Sequence, residues 1–416
     1  MMKWKKKKLN EFCEFSNGLW TGKKPPFQTV GVIRNTNFTK DCQLDDSDIV
    51  YLEVEQSQFQ KRKLQYGDII LEKSGGGPKQ PVGRVVIFDK TEGDFSFSNF
   101  TSVIRIKNKN EVDFNFLYRY LFLEYISGAT EKMQSHSTGI RNLKFDEYKE
   151  REIPLPSLPE QQRIVSILDD AFAAIAKAKA NAEQNLKNVK ELFECYLQGV
   201  FEKKGFRWEE KKLGEVCEIK PPKKEAREKL SENDFVSFLP MEDLGVCDNE
   251  IKLKKEKPLK DVAGSYTYFA DNDVLLAKIT PCFENGKLGV AKNLTNGIGF
   301  GSSEYIVFRC PEYIVPEFLF YFLSRESLRE EGKKFMSGAV GHKRVSKDWI
   351  ENYLFTFPKS KEVQQTIVRQ LDALRAETQK LEAVYQKKID DLEELKKSVL
   401  QKAFAGELKT EKLETV

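Results

Sequence analysis

The chain has 416 residues, of which 32% are charged and 40% are hydrophobic. This composition is typical of a globular protein, and the length is sufficient for two or three domains with their own cores. Lys and Arg number 68 against 64 Asp and Glu, which gives a net charge of +4. A balance so close to neutrality excludes a generally basic protein, so any basic surface must be local.

Cysteine and histidine usage excludes several kinds of site. The seven cysteines include no C-x-x-C pair, and His136 and His342 are the only histidines. This argues against a disulfide framework, a zinc ribbon and an imidazole-based metal site. The basic residues 1–9 are not followed by a signal-peptide core, and no stretch approaches the roughly 20 apolar residues of a membrane span. We therefore expect a reduced, cytoplasmic protein without a membrane anchor.

The chain opens with a segment that recurs in its second half. Trp, Lys, Lys, Leu, Glu, Cys and Glu at positions 4, 7, 8, 9, 11, 13 and 14 reappear at positions shifted by 204. Further along, residues 67–73 match residues 272–278, and each segment is a turn followed by a short apolar run typical of a strand. The match predicts a duplication of the whole chain.

The duplicated halves agree in their strands and differ in their loops. Strands are predicted at 82–88 and 102–107 in the first half and at 288–291 and 305–309 in the second. The loops at 74–81 and 280–287 share almost no residues. Each half then has an aromatic helix packed in the core, predicted at 116–124 and 318–329. The pattern indicates one scaffold with two sets of loops.

A long amphipathic helix follows each half, at 157–201 and 360–404. Ser157 is the expected N-cap of the first, with Glu160 completing a capping box. Apolar residues recur at alternating spacings of three and four, and the two patterns are in register at a shift of 203. The predicted seam contains Ile164, Leu168, Ile175, Val189, Leu192, Tyr196, Ile367, Leu371, Leu374, Leu381, Tyr385, Leu392, Leu395 and Val399.

The seam is too long for packing inside one small domain. From residue 164 to residue 196 it spans about 48 Å at about 1.5 Å per residue. The simplest partner of each helix is the other helix, since a coiled coil buries both seams at about 1.5–3 kcal/mol per large apolar side chain. The sequence predicts an α+β protein of two tandem α/β domains and two long helices that form an antiparallel coiled coil, with boundaries at 1–155, 156–203, 204–357 and 358–416.

Catalytic motifs are absent or incomplete. The segment Lys24-Pro25-Pro26-Phe27 has Lys where an amino-group methyltransferase needs an acceptor for the amino hydrogens. The glycines of 297–301 lead into a strand, whereas phosphate cradling requires a helix N-terminus. The loop at 74–81 lacks the Gly-Lys-Ser/Thr ending of a phosphate loop. We therefore expect no catalytic residues in this chain.

Polar and basic loop residues on a strand scaffold are suited to reading DNA. Arg or Lys pairs with guanine, Asn or Gln pairs with adenine, and all of these can contact phosphates. The candidates of the first half are Lys73, Ser74, Lys79, Gln80 and Arg84, with Arg141, Asn142 and Lys144. Those of the second half are Lys278, Thr280, Asn285 and Lys287, with His342, Lys343 and Arg344.

The arrangement resembles the specificity subunits of type I restriction–modification systems. The resemblance lies in the junction IPLPSLPEQQRIV at 153–165, its weaker copy at 357–368, the domain openings at 4–14 and 208–218, and the helix ending LQKAFAGEL at 400–408. It covers essentially the whole chain.

The resemblance implies two target recognition domains that each read one half of a split, asymmetric double-stranded DNA site. It implies an antiparallel helix pair whose length sets the spacing of the half-sites and which docks two modification subunits. Those partners would bind S-adenosylmethionine and methylate adenine, and up to two restriction subunits would add ATP- and magnesium-dependent cleavage. This chain would bind no cofactor.

Two other functions stay open at this point. The chain could be a structural adaptor whose duplicated domains bind proteins, in which case its DNA affinity would lack the salt dependence of phosphate contacts. It could instead be a stand-alone methyltransferase or nuclease, which the incomplete motifs disfavour.

Overall fold

The structure is a computed structural model, and it describes residues 4–19, 21–77, 80–137, 140–203, 205, 207–249, 251–339 and 341–408. The chain divides into two compact units. Unit 1 comprises Met1–Ala182 and Lys387–Val416, and unit 2 comprises Glu183–Gln386. Each unit therefore holds one copy of the duplicated domain together with parts of both long helices.

The domain of unit 1 is built from short strands with helices on their faces. Its strands are β1 (Lys5–Lys8), β2 (Cys13–Asn17), β3 (Phe27–Ile33), β4 (Val50–Glu55), β5 (Asp68–Glu72), β6 (Ser74–Gly76), β7 (Val85–Phe88), β8 (Phe95–Phe97), β9 (Thr101–Ile106), β10 (Gln134–Ser137), β11 (Ile140–Leu143) and β12 (Glu152–Leu155). Its short helices are α1 (Leu9–Phe12), α2 (Gln56–Arg62), α3 (Phe114–Ile126) and α4 (Phe145–Lys149).

The central sheet of unit 1 has the antiparallel order β2-β9-β5-β7. Every residue of β5 is buried, as its continuous apolar run predicts for a strand covered on both faces. Helix α3 supplies buried aromatic and aliphatic side chains to the same core, including Phe116, Leu117 and Leu121. A second sheet has the order β4-β3-β8, and a third has the order β10-β11-β6. The third sheet is the one that bears on function.

Unit 2 repeats this plan. Its strands are β13 (Trp208–Lys212), β14 (Glu218–Ile219), β15 (Phe235–Leu239), β16 (Glu256–Pro258), β17 (Thr267–Ala270), β18 (Val274–Ala277), β19 (Leu288–Val290), β20 (Ile298–Gly301), β21 (Tyr305–Arg309), β22 (Met336–Ser337), β23 (Arg344–Val345) and β24 (Leu354–Pro358). In chain order, the long helix α5 (Leu158–Glu202) follows the domain of unit 1 and precedes that of unit 2. The helices that follow are α6 (Leu213–Val216), α7 (Lys224–Lys229), α8 (Leu259–Val262), α9 (Pro316–Ser324), α10 (Glu326–Lys334), α11 (Lys347–Asn352) and the second long helix α12 (Lys361–Phe404).

The sheets of unit 2 correspond to those of unit 1. Order β14-β21-β18-β19 matches the central sheet, and order β16-β15-β20-β17 matches the second sheet with one added strand. The predicted duplication and the α+β class are confirmed. One predicted element differs: the helix expected at 318–329 is two helices, broken at the extended residue Arg325. Its Nε donates to the carbonyl of Phe322, and its guanidinium lies over that ring.

An ion pair between a buried carboxylate and a partly exposed arginine holds the central sheet of each unit. In unit 1 the guanidinium of Arg105 donates to both carboxylate oxygens of Asp68, at 2.7 and 2.6 Å. In unit 2 Arg309 donates to Asp273 in the same way, at 3.0 and 2.9 Å. Both carboxylates are 2% exposed in the ion pair. Since a buried carboxylate without a partner is strongly unfavourable, each arginine is needed by its sheet.

A buried glutamine fastens each domain to the start of a long helix. The Gln161 side chain is fully buried, accepts from the backbone N–H of Asp113 at 2.9 Å, and donates to the carbonyls of Glu111 and Pro156. Gln364, 203 residues later, is equally buried and accepts from Val315 N–H at 2.8 Å. The first glutamine of the Gln-Gln pair in each junction is therefore a structural residue.

The long helices run antiparallel where they meet inside each unit. In unit 1 the start of α5 packs with the end of α12, since Leu168 and Leu400 share one buried cluster and Lys179 pairs with Glu393. In unit 2 the end of α5 packs with the start of α12, through Leu197 and Leu371. This confirms the predicted antiparallel pairing of the two helices.

The predicted seam is correct in part. Ile164, Leu168, Ile175, Val189 and Leu371 are buried. Partly buried positions are Ile367, Leu374, Tyr385, Leu392 and Val399.

The prediction is wrong at four positions, which lie 42–53% exposed. These are Leu192, Tyr196, Leu381 and Leu395. Near the end of α5 the inward positions are instead Phe193 and Leu197, each one residue later. A straight helix has about 3.6 residues per turn, so a strict seven-residue pattern drifts off the buried face.

Candidate nucleic-acid interface

The candidate residues of unit 1 meet on the three-stranded sheet β10-β11-β6. Ser74 on β6 lies opposite Asn142 on β11, and its hydroxyl donates to the Asn142 side-chain oxygen. Arg141 is opposite Gly76, with a register shift between Arg141 and Asn142. Gly75 has φ 97°, a conformation that favours glycine. The sheet therefore brings Ser74, Arg141 and Asn142 together.

Lys73 precedes this sheet and is held in place. Its ammonium donates to the Asn17 side-chain oxygen at 2.9 Å. Burial lowers the pKa of Lys73, with a smaller contribution from the charge of Lys149. Lys144 follows the sheet, is exposed, and pairs with Glu147 at 3.1 Å.

The assignment of Arg84 as a DNA contact is corrected by the structure. Arg84 is 5% exposed and forms a bidentate ion pair with Glu72, at 2.8 and 2.7 Å. Its remaining donors reach the carbonyls of Phe38 and Asn35. Its guanidinium is enclosed in the domain and is structural. With its amide flipped, the Gln80 side-chain oxygen accepts from Nη2 of the same guanidinium at 2.6 Å. Lys79 lies outside the described residues.

The candidates of unit 2 meet at an equivalent place, beyond the end of β18. Lys278 donates from Nζ to the Ser303 carbonyl at 3.0 Å, and burial lowers its pKa. Arg344 on β23 donates from Nε and Nη2 to the two carboxylate oxygens of Glu304, at 2.9 and 2.8 Å. These hydrogen bonds are the main reason that the pKa of Glu304 is lowered.

The other unit 2 candidates differ in availability. His342, Lys343 and Asn285 are exposed. Thr280 is engaged with Glu284 at 3.0 Å, and Lys287 donates to the Met241 carbonyl at 2.6 Å. The last two therefore shape the loop that carries Asn285.

Sequence reasoning missed Asn17 and Glu304, which position Lys73 and Arg344 respectively. Both residues are remote in sequence from their partners, and no motif marks them. The internal repeat contained a signal for Glu304. A shift of 204 aligns Glu304 with Phe100, so one unit has a carboxylate just before a strand where the other unit has an apolar ring.

No group of His, Cys, Asp or Glu within the described ranges is arranged to hold a metal ion. Over the same part of the chain, the helices are too short or too polar to cross a membrane.

The fold and this surface define a duplicated α+β recognition scaffold on two antiparallel helices. The family model for the type I restriction modification DNA specificity domain matches twice, at residues 1–187 and 207–391. The chain belongs to this family of type I specificity proteins.

Specificity subunits of individual type I restriction enzymes are similar to this chain. The chain is 34% identical over 169 residues to the EcoAI specificity subunit of Escherichia coli, across 39% of this chain and 27% of that relative. This match spans about a quarter of the relative's length. The chain is 24% identical over 410 residues to the EcoKI specificity subunit of E. coli K12, across 91% and 82% of the two chains.

Solved structures share the fold. A chain from a study of complex assembly and conformational transition of the type I R-M system superposes with a TM-score of 0.76 at 19% identity, across 98% of this chain and 99% of that one. The HsdS subunit of Thermoanaerobacter tengcongensis superposes with a TM-score of 0.59 at 19% identity, across 98% and 97%.

Proposed function

We propose that this chain is the DNA-reading component of a type I restriction–modification complex, in which each unit reads one half of a bipartite, asymmetric site. The observation that carries the proposal is the pair of equivalent surfaces with different side chains. Ser74, Arg141 and Asn142 occupy one surface, and Lys278 and Arg344 occupy the other. Two equivalent supports with different polar groups suit two different base sequences.

The long helices are proposed to dock two modification subunits. Leu192 and Leu395 are related by the internal shift of 203, and they are 53% and 47% exposed. Exposed leucines at equivalent places on a duplicated scaffold suit two copies of one partner. Methylation with S-adenosylmethionine, and cleavage with ATP and magnesium, would belong to the modification and restriction partners, and this chain would be non-catalytic.

The test is co-expression with a modification subunit from the same genome, in a host that lacks adenine methylation. Methylated adenines are then mapped across the host genome. A split, asymmetric motif that requires both proteins is expected. A stable complex without methylation, combined with DNA binding that is insensitive to salt, would favour the protein-binding adaptor instead.

The helix pair is proposed to set the gap between the half-sites. Removing residues 176–182 and 390–396, which face each other at the Lys179–Glu393 pair, shortens both helices by seven residues. Seven residues correspond to about 10 Å, or about three base pairs at about 3.4 Å each. A shorter gap in the methylated motif is expected, and an unchanged gap would contradict this part of the proposal.

A further inference from the structure

The two recognition surfaces share one backbone frame. The N–H of Lys73 donates to the carbonyl of Phe100, and the N–H of Lys278 donates to that of Glu304, both at 3.0 Å. The N–H of Leu143 donates to the Lys73 carbonyl at 2.8 Å, as that of Val345 does to the Lys278 carbonyl at 2.9 Å.

The strand pairing completes the frame. Ser74 lies opposite Asn142 in unit 1, and Ile279 lies opposite Arg344 in unit 2. Position 142 of unit 1 is therefore structurally equivalent to position 344 of unit 2. By the same frame, Phe100 is equivalent to Glu304.

The side chain at the first position is an amide held by a neighbouring hydroxyl. The Ser74 hydroxyl donates to the Asn142 side-chain oxygen, which keeps a second lone pair for a base. Among the described residues, the Asn142 amide nitrogen makes no hydrogen bond, and the residue is partly exposed. One acceptor beside one donor matches the N6 amino group and N7 of adenine.

The side chain at the second position is a guanidinium with a fixed orientation. Nε and Nη2 of Arg344 are held by Glu304, and Nη1 donates to the His342 carbonyl at 3.0 Å. The guanidinium has five N–H groups, so one on Nη1 and one on Nη2 remain. The side chain is 45% exposed. Two parallel donors match O6 and N7 of guanine.

We propose that positions 142 and 344 are the equivalent base-reading positions of the two units, with Asn142 reading an adenine in one half-site and Arg344 a guanine in the other. Glu304 is the positioning residue of Arg344. This inference rests on the proposed function and adds the residues and bases at which the two half-sites differ.

The role of Glu304 follows from charge and geometry. Its carboxylate would repel phosphates if it were unpaired, but paired with Arg344 it is neutralised and fixes the plane of the guanidinium. Unit 1 has no guanidinium to fix at position 142, and its equivalent residue, Phe100, is apolar. Equivalent backbone positions thus carry two alternative residue pairs for base recognition, Phe100 with Asn142 in unit 1 and Glu304 with Arg344 in unit 2.

The experiment begins with the unmodified chain and its modification subunit. Purified complex selects duplexes from a randomised pool, and replacement of residues 1–155 by those of another specificity subunit identifies the half-site of unit 1. The other half-site is expected to contain a guanine, and that of unit 1 an adenine. Failure to select any sequence would contradict the proposed function itself, before the variants are considered.

Arg344→Lys keeps the positive charge and removes the planar fork. We expect preference for guanine at one position of the unit 2 half-site to fall by about 5- to 150-fold, with every other position unchanged. Glu304→Gln should reduce preference at that same position, whereas a merely structural loss would weaken all positions equally. Arg227→Gln, an exposed arginine on α7 of the same unit, is the matched control and should leave the selected sequence unchanged.

Asn142→Ala should remove adenine preference at one position of the unit 1 half-site. Three results would overturn the inference: a unit 2 half-site without guanine, an Arg344→Lys complex that selects guanine as strongly as the unmodified one, or an Asn142→Ala complex with an unchanged unit 1 half-site. Each of these can occur while the complex still reads a bipartite site, so the inference can fail separately from the proposed function.

Discussion

Replacing Gln161 by Leu is expected to loosen the attachment of the unit 1 domain to α5. The change removes one hydrogen bond accepted from Asp113 N–H and two donated to the carbonyls of Glu111 and Pro156. Each contributes about 0.5–1.5 kcal/mol net, so the loss is about 1.5–4.5 kcal/mol. The upper part of this range is expected because the backbone groups stay buried without partners.

The assay is amide hydrogen exchange combined with urea denaturation. Exchange at the Asp113 amide should accelerate, because that N–H loses its acceptor. Gln162→Leu is the matched control, since Gln162 is the exposed neighbour of Gln161 and should change stability by less than about 0.5 kcal/mol. Gln364→Leu should reproduce the effect in unit 2 at the Val315 amide. A Gln161→Leu protein with unchanged stability and a protected Asp113 amide would refute the reasoning.

Three further predictions concern the ion pairs and the helices. Arg105→Leu leaves the buried Asp68 carboxylate without its ion-pair partner and should destabilise unit 1 by about 3–5 kcal/mol in denaturant titrations, whereas a loss below 1 kcal/mol would mean that the pair is dispensable. Burial raises the pKa of Glu124 from 4.5 to about 6, so the folded state holds that proton more tightly and stability should fall by about 2 kcal/mol in total as pH rises from about 3.5 to about 7. Glu124→Gln should make stability less dependent on pH over this range. If the variant lost stability as steeply, another group would be responsible for the pH dependence. Leu192→Lys with Leu395→Lys should leave the melting temperature within a few degrees, because both side chains are exposed, but should abolish co-purification of the modification subunit; retained binding would locate docking elsewhere.

Sequence patterns predicted the duplication and the long helices because repetition and periodicity are strong local signals. They failed where the buried face of a helix drifts away from a strict seven-residue pattern over many turns. Leu192 and Tyr196 fit a seven-residue repeat, yet the inward residues are the partly buried Phe193 and the buried Leu197. Near the end of α5 the helix packs against the core of the unit 2 domain, and the buried face is set by that core as well as by the partner helix.

The candidate surface was predictable in outline and unpredictable in detail. Arg84 and Arg344 are both arginines near polar loops, but one is enclosed by Glu72 and the other is held at the surface by Glu304. Which carboxylate meets which arginine depends on strand pairing between distant segments, and no local pattern encodes that. The internal repeat reduces the number of candidate partners for each arginine, because it aligns equivalent positions of the two units.

The most direct test of the central claim is to replace residues 1–155 by the corresponding domain of another type I specificity protein and to map methylated adenines with the modification subunit present. The account predicts a motif in which one half-site changes and the other is identical to that of the unmodified protein. A change in both halves, or in neither, would contradict the claim that each unit reads one half of the site.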